Sequence, residues 1–263
     1  MNFNDEQLRQ SENLAMAYDA WLDNERVWRE HAHRLKWKTV NGTDYLYRIV
    51  DRDGRGPSLG PRSAELDQHF DQYMGRRDAA KSARKRLASR VQQVSRLCRA
   101  LRLPAVDSMV GRLLREADLN QLLGNVLAVV GTNAMICYAY AARRTLPPEL
   151  QSTADFDIAW TTANEALAVF GRNDRPIMDL LKAVDGTFTV NTERTFQARN
   201  ADAFEVELLA APSVAHTLAR SDPLRPVSNL PEQEWLLLGT PLREAVRTSD
   251  ANAAAITAPD PRW

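Results

Sequence analysis

The spacing of apolar and polar positions predicts that the first half of the chain is mainly helical. From about Asp5 to Leu35, large apolar side chains recur at spacings of three, four and seven, namely at Leu14, Tyr18, Trp21, Trp28 and Leu35. This spacing predicts one long amphipathic helix. A second helix is predicted from Ser63 to about Leu103, before Pro104, and a short third one from Asp107 to Leu114.

The segment "LKWKTVNGTDYLYRIV" breaks the helical pattern and predicts a β-hairpin near residues 36–50. Asn41-Gly42 stands between two β-rich arms, and a two-residue hairpin turn needs positive φ at both central positions. This turn would place Lys36 opposite Tyr47 and Lys38 opposite Tyr45, which we interpret as ordinary cross-strand packing. The Gly- and Pro-rich stretch "DRDGRGPSLGPRS" that follows predicts a loop.

From about residue 121 onward, apolar runs typical of strands alternate with helical patterns. The segment "LLGNVLAVVG" predicts a buried strand, "TNAMICYAYAARR" a helix, "LPPELQST" a loop, "DFDIAW" a strand and "DRPIMDLLKAVD" a helix. Three β-rich runs follow, "GTFTV", "RTFQAR" and "FEVELLAA". We therefore predict an α/β (α+β) protein with a boundary near residue 120, in which a helical region with a hairpin (1–120) precedes an α/β domain (121–263).

Composition restricts the class of protein more than it indicates a partner. The 263 residues are 44% hydrophobic and 26% charged, with 34 basic and 34 acidic side chains, which is typical of a globular protein that buries a real core. No apolar run is long enough to cross a bilayer, and the polar start "MNFNDEQLRQ" is not a secretory signal. Two cysteines without a metal-ligand spacing fit a reducing compartment, so we expect a cytoplasmic protein.

The strand "DFDIAW" carries the main candidate for chemistry. Residues i and i+2 of a strand point to the same face, so Asp155 and Asp157 project together while Phe156 faces the core. Their Cα atoms are roughly 6–7 Å apart, a spacing suited to holding a hard divalent cation such as Mg²⁺ or Mn²⁺. Glu205 and Glu207 share a face in "FEVELLAA" and are candidates for a third acid, with Glu207 favoured.

A Gly-Thr pair ahead of the aspartates has a matching role. Gly131 follows an apolar strand and would let a phosphate approach the backbone without a Cβ in the way. Thr132 is predicted to cap the next helix, whose free N–H groups form an anion site. Lys182, on the helix after the aspartates, is a further candidate for contact with a triphosphate. Each of these residues also has a purely structural interpretation. Gly131 would then be a glycine at a strand end, Thr132 an ordinary helix N-cap and Lys182 a surface lysine.

These motifs resemble the signature of the polymerase-β-like nucleotidyltransferase superfamily. The match consists of Val130, Gly131 and Thr132, then Asp155 and Asp157 as the Asp-x-Asp pair. The order "SLGPRS", "VVGTNAM", "STADFDIAW" and "APDPRW" is similar, over most of the chain, to a bacterial family of nucleotidyltransferase-fold proteins whose substrate is unassigned. The interval from Thr132 to Asp155 is longer than usual for the superfamily, and Glu207 stands where an Asp is expected.

The resemblance implies a mixed nucleotidyltransferase-like sheet flanked by helices, and Mg²⁺-dependent transfer of a nucleoside monophosphate from an NTP to an unidentified acceptor. Asp155, Asp157 and Glu207 would be the catalytic and metal-binding residues, and Gly131 and Thr132 would hold the triphosphate. The resemblance also leads us to expect a further helix after "PDPRW", which the sequence ending at Trp263 does not contain. The alternative is a catalytically silent fold that serves as an interaction module, for example in a toxin–antitoxin or defence system.

Two helical regions are candidate partner surfaces. Residues 76–102 contain ten basic side chains and a single acid, Asp78, which would attract RNA or another polyanion. We favour the simpler interpretation of a solvated helix paired with acids elsewhere, such as those of the first helix, because no aromatic residues alternate with the basic ones. The Trp-bearing stripe of the first helix is a candidate surface for a protein partner.

Overall fold

A computed structural model describes residues 1–147, 155–161, 177–217 and 222–262 of the chain. The predicted loop "LPPELQST" and the beginning of the predicted helix "DRPIMDLLKAVD" lie largely outside these residues. The described residues group into two compact units, one made of residues 1–18 and 91–263 and the other of residues 19–90. The domain boundary that the sequence predicts near residue 120 remains a prediction.

Two long helices contribute residues to both units, α1 (Asp5–Glu30) and α2 (Ala64–Ala100). At the start of α1, the Asn4 side chain accepts from the Gln7 backbone N–H at 2.8 Å, and Gln7 Oε1 accepts from the Asn4 N–H at 2.9 Å. This reciprocal pair satisfies two N–H groups that a helix terminus leaves without a partner. The predicted helix to Leu35 is too long, because Leu35 lies in the following strand and pairs there with Arg48.

The 19–90 unit contains an antiparallel sheet in the order β1-β2-β3, with strands β1 (Arg34–Val40), β2 (Thr43–Ile49) and β3 (Ser58–Pro61). The predicted hairpin is confirmed: Asn41 and Gly42 have φ of 49° and 81°. Its register pairs Lys36 with Tyr47 and Lys38 with Tyr45, as predicted.

Besides its parts of α1 and α2, the larger unit contains two mixed sheets and three α-helices in its described part. The helices are α3 (Ser108–Leu119), α4 (Gly131–Ala141) and α5 (Ile177–Val184). The first sheet has the order β5-β6-β9-β8-β7, with β5 (Leu127–Val129), β6 (Asp155–Trp160), β7 (Thr189–Val190), β8 (Gln197–Arg199) and β9 (Glu205–Ala210). The second has the order β11-β10-β4, with β4 (Ala105–Val106), β10 (Leu242–Thr248) and β11 (Ala253–Ala258). Mixed sheets with packed helices confirm the predicted α+β class.

The elements around the predicted site differ from the sequence prediction mainly in length. The buried strand predicted over residues 122–131 is shorter in the structure and consists only of β5. Residues 122–126 form a turn, in which the Gly124 N–H donates to the Leu127 carbonyl at 2.8 Å. β6 pairs antiparallel with β5 and parallel with β9. The strand carrying the two aspartates is therefore flanked on one side by the strand that leads into α4 and on the other by the strand carrying the two glutamates.

A buried polar cluster joins α1, α3 and β10 within the larger unit. Tyr18 donates its hydroxyl to Asp118 Oδ2 at 2.9 Å, and the same oxygen accepts from Arg243 at 3.0 Å. Tyr18 and Asp118 are both buried.

No helix in the described ranges has both the length and the apolarity needed to cross a bilayer.

Candidate active site

Four carboxylates lie on one face of the five-stranded sheet. The parallel register pairs Asp155 with Glu205 and Asp157 with Glu207, so the four residues form two rows on neighbouring strands. Neighbouring strands lie roughly 4.8 Å apart, and residues two apart on one strand are roughly 6–7 Å apart. Phe156 is buried, in keeping with the alternation expected from the sequence. We call these four residues the carboxylate array.

The carboxylate of Asp157 is the member of the array most affected by its surroundings. Partial burial, followed by repulsion from Asp155 and Glu207, raises its pKa to about 6. The charged form of Asp157 is therefore less favourable than that of an ordinary aspartate, and a positive charge nearby would stabilise it. A bound cation would supply that charge, and the oxygen ligands of the array suit a hard divalent ion such as Mg²⁺.

Gly131 brings the backbone at the start of α4 against this carboxylate. Gly131 has a φ of +64°, and a Cβ placed on it would lie 2.1 Å from Asp157 Oδ2. The Val130 N–H donates to the Asp157 carbonyl at 3.0 Å. Only glycine satisfies both the positive φ and the close approach, so the predicted strand–Gly–helix junction does lie at the carboxylate array.

Thr132 does not cap α4 as predicted. The helix begins at Gly131, so Val130 is the N-cap and provides no side-chain cap hydrogen bond. Thr132 is instead the second residue of the helix, where its backbone N–H is among those that lack a partner within the helix. Asn133, which the sequence prediction missed, is buried, and its side-chain amide donates to the Asp155 carbonyl at 3.3 Å.

The two glutamates differ in their surroundings. Gln197 is buried on β8, and its side-chain amide donates to Glu205 Oε2 at 3.0 Å and to Glu207 Oε1 at 3.1 Å. Arg199 lies 3.6 Å from Glu205 Oε1, which neutralises part of the charge of Glu205. In the described part of the chain, no group of three or more His, Cys, Asp or Glu side chains is placed to hold a metal ion. Glu207 is the partner of Asp157 in the strand register, and its carboxylate accepts a hydrogen bond from Gln197.

Lys182 remains a predicted contact for the triphosphate. It lies exposed in the last turn of α5, a helix that packs against α3. The sequence signal for Lys182 was its position after the aspartates, and position along the chain does not determine which face of the sheet a helix covers. Gln197, by contrast, joins the array through a strand register that the sequence did not predict.

Residues 108–263 match the model of a family described as nucleotidyltransferase. The chain belongs to this nucleotidyltransferase family. The match extends from α3 to the end of the sequence and includes the Gly131 junction and all four acids of the array. The match confirms the prediction from the sequence that the chain is a member of the nucleotidyltransferase superfamily. Neither the curated proteins nor the solved structures contain a match to the chain.

Proposed function

We propose that this nucleotidyltransferase moves a nucleoside monophosphate from an NTP to an acceptor in a reaction that depends on Mg²⁺ or Mn²⁺. The observation that carries the proposal is the contact between the Gly131 junction and Asp157, because it brings a helix N-terminus and a carboxylate pair to one point. Helix N-termini bind phosphate through free N–H groups, and carboxylates bind the cation that accompanies a triphosphate.

In this proposal Asp155 and Asp157 hold the cation, and the backbone at Gly131 and Thr132 holds the triphosphate. The cation would supply Lewis-acid stabilisation of the charge that develops on the phosphoryl oxygens and on the leaving group. Gln197 would orient Glu207 next to Asp157, where Glu207 would take the acceptor proton; among the described residues, three acids are not placed to share one metal ion. Glu205 is the less suitable third acid, because Arg199 and Gln197 both contact it.

The proposed reaction replaces a phosphoanhydride bond of the NTP with a bond from the α-phosphorus to the acceptor. An acceptor oxygen attacks the α-phosphorus, the new O–Pα bond forms, and the bond from Pα to the bridging oxygen of the β-phosphate breaks. Pyrophosphate leaves with the electron pair, and the acceptor proton passes to a carboxylate of the array. The acceptor is an RNA, a protein or a small molecule.

The decisive experiment measures Mg²⁺-dependent binding of the four NTPs by calorimetry. We compare the wild type with the Asp155→Ala/Asp157→Ala variant and with Asp202→Ala, which removes an exposed acid outside the array. We expect the double variant to lose binding and the control to keep it. Mg²⁺-dependent binding that survives in a folded double variant would refute the site. Transfer of label from an α-labelled NTP to the components of a cell extract then tests turnover.

A second candidate function is nucleotide binding without turnover, in an interaction module. The observation that favours it is the hydrogen bond from Gln197 to Glu207, which leaves the third acid engaged with a protein group. This candidate predicts that Mg-NTP binds to the wild type and that no labelled product forms with any acceptor fraction. Nucleic-acid binding by residues 76–102 and partner binding by α1 remain predictions.

A further inference from the structure

The hairpin sheet of the 19–90 unit has one face that packs within the unit and one that faces solvent. Leu35 and Leu46 are buried on the inner face, where the centroid of the Trp37 ring lies 6.1 Å from that of Phe70 in α2. Because side chains alternate along a strand, the residues between them point outward. In β1 and β2 the outward residues include three cations and two tyrosines, namely Arg34, Lys36, Lys38, Tyr45 and Tyr47. We call these five residues the outer sheet face.

The strands of the outer sheet face bring no acid to its cations. Asp44, the acid of β1 and β2, lies on the inner face, where it accepts from the Thr39 hydroxyl at 2.6 Å. Arg34 and Lys36 are exposed, and neither forms an ion pair among the residues that the structure describes. The loop that follows β2, residues 51–56, has two acids and two bases. A ligand with several negative charges would therefore meet a net positive surface at this face.

The two tyrosines place aromatic rings beside these cations. Tyr45 and Tyr47 are both partly exposed, and their Cα atoms are roughly 6–7 Å apart along β2. Lys38 Nζ lies 4.8 Å from the centroid of the Tyr47 ring. Within the described part of the chain, the Tyr45 ring has no aromatic or cationic contact. Aromatic rings beside basic side chains on a sheet suit a single strand of RNA, because its bases stack on the rings and its phosphates meet the cations.

Charge is distributed unevenly between the two units. Residues 19–90 contain 16 basic and 11 acidic side chains, whereas the remaining residues contain 18 basic and 23 acidic ones. The net charge of zero for the whole chain therefore combines a basic unit with an acidic remainder. The family match, residues 108–263, does not include the basic unit. The excess positive charge lies outside the part with the carboxylate array and would attract a polyanion to the 19–90 unit.

We propose that the outer sheet face binds single-stranded RNA and that this RNA is the acceptor of nucleotidyl transfer. Tyr45 and Tyr47 stack with bases, and Arg34 and Lys36 contact phosphates. Of the acceptor classes that the proposed function allows, RNA combines a negative charge on every unit with aromatic bases. A ribose hydroxyl of the RNA then attacks the α-phosphorus, its proton passes to a carboxylate of the array, and pyrophosphate leaves with the electron pair. The acceptor role rests on the proposed function, whereas the binding of RNA does not.

Fluorescence anisotropy with a labelled oligoadenylate tests the stacking contacts in the full chain. Tyr45→Leu/Tyr47→Leu removes both rings and keeps apolar side chains, whereas the matched control Tyr45→Phe/Tyr47→Phe keeps the rings. Because each stacked base contributes to affinity, we expect the leucine variant to raise the dissociation constant at least about tenfold. The phenylalanine variant should bind as the wild type does. If the leucine variant, folded by circular dichroism, bound oligoadenylate as tightly as the wild type, the assignment would be overturned.

The salt dependence of binding tests the phosphate contacts. Each phosphate that a single strand contributes adds about 0.7 to the slope of log K against log salt concentration, so Lys36→Met should reduce that slope by about 0.7. Lys85→Met is the matched control, because it makes the same change of charge at an exposed position of α2. The control should leave the slope unchanged. A reduced slope in Lys85→Met but not in Lys36→Met would assign RNA binding to the basic helix and overturn the inference.

Inorganic polyphosphate and oligodeoxyadenylate separate RNA from other polyanions. Polyphosphate has the charge without the bases, so it should bind less tightly than oligoadenylate and equally well to the wild type and to Tyr45→Leu/Tyr47→Leu. Incubation with Mg²⁺ and α-labelled NTPs should transfer label to oligoadenylate, and more slowly in the leucine variant at RNA concentrations below saturation. Label on oligodeoxyadenylate and not on oligoadenylate would overturn the assignment to RNA.

The remaining outcomes separate this inference from the proposed function. If RNA binding depends on Tyr45 and Tyr47 but no NTP binds with Mg²⁺, the outer sheet face is an RNA surface and the proposed function fails together with the acceptor role. If NTP binding depends on Asp155 and Asp157 but the wild type does not bind oligoadenylate, this inference alone is wrong. If both ligands bind and oligoadenylate stays unlabelled with every NTP, the acceptor role is refuted.

Discussion

Asp157 occupies the space that a side chain at Gly131 would need. An ideal Cβ on Gly131 would lie 2.1 Å from Asp157 Oδ2 and 3.0 Å from its Cγ, far inside van der Waals contact. The positive φ of Gly131 adds a conformational reason for glycine at the same position. The backbone at the start of α4 and the carboxylate of β6 therefore depend on each other for their placement.

Gly131→Ala should damage the site and the fold together. The left-handed conformation alone costs a residue with a Cβ about 1–2 kcal/mol, and the contact with Asp157 forces either the carboxylate or the helix start to move. We expect a lower unfolding free energy in denaturant titrations and loss of Mg²⁺-dependent NTP binding.

The control for this prediction is Gly75→Ala. Gly75 lies within α2, and a Cβ there meets no atom within 4 Å. Alanine is a better helix former than glycine, so this variant should gain about 0.5–1 kcal/mol. If Gly131→Ala were as stable as the wild type and bound NTP normally, the close approach of Gly131 and Asp157 would be wrong.

Asp157→Asn should stabilise the metal-free protein at neutral pH. Burial and then Asp155 and Glu207 raise the pKa of Asp157 to about 6 from its ordinary 3.8, so the folded state binds this proton more tightly than the unfolded state does. The contribution of Asp157 to the unfolding free energy therefore falls as the pH rises from about 4 to about 6, and then stays level. Asparagine carries no charge and avoids this loss.

The measurement is denaturant unfolding of the wild type and Asp157→Asn from pH 4 to pH 8, with a chelator present. The two curves should diverge progressively toward pH 6 and then run parallel, with the variant more stable. Asp202→Asn, at an exposed position outside the array, should follow the wild type. A constant difference between Asp157→Asn and the wild type at every pH would contradict the assigned cause.

Local patterns were predictable from the sequence, and strand register was not. The Asn41-Gly42 turn depends on the φ preferences of two adjacent residues, and the shared face of Asp155 and Asp157 depends only on alternation within one strand. The hydrogen bonds from Gln197 to the two glutamates require that β8 pair with β9 in one register, which no local pattern specifies. The prediction that Thr132 caps α4 failed for a smaller reason, because the N-cap lies two residues earlier, at Val130.

The hydrogen-bonded cluster of Tyr18, Asp118 and Arg243 should stabilise the larger unit cooperatively. One buried oxygen, Asp118 Oδ2, accepts from both Tyr18 and Arg243. Removing the carboxylate in Asp118→Ala leaves the buried Tyr18 hydroxyl without this acceptor and should cost about 2 kcal/mol. Tyr18→Phe should cost about 1 kcal/mol.

A double-mutant cycle measures the coupling in this cluster. Because Tyr18→Phe removes a hydrogen bond that is already lost in Asp118→Ala, the double variant should lose less stability than the sum of the single variants, by about 0.5–1 kcal/mol. Tyr138→Phe serves as the control, because Tyr138 donates to the Pro259 carbonyl and not to Asp118. Its effect on the unfolding free energy should add to that of Asp118→Ala. Strict additivity of Tyr18→Phe and Asp118→Ala would show that the shared oxygen does not couple the two groups.

Arg84 should contribute to stability in the 19–90 unit through its contacts with Glu25 and Trp28. Its guanidinium donates to Glu25 Oε1 at 2.7 Å and to Glu25 Oε2 at 3.0 Å, and it lies 5.0 Å from the centroid of the Trp28 ring. Glu25 is buried, so Arg84→Ala would leave its carboxylate without a paired charge. Since Arg84 is itself about half exposed, we expect a discounted loss of about 1–2 kcal/mol, measured by denaturant unfolding.

Arg86→Ala is the matched control, because Arg86 is an exposed residue two positions along the same helix. It should change the unfolding free energy by less than about 0.5 kcal/mol. Arg84→Lys distinguishes geometry from charge, since lysine keeps the charge but cannot make the bidentate contact, and it should recover only part of the loss. If Arg84→Ala and Arg86→Ala were equally stable, Arg84 would belong with the solvated basic side chains. Its charge would then be available to attract a polyanion.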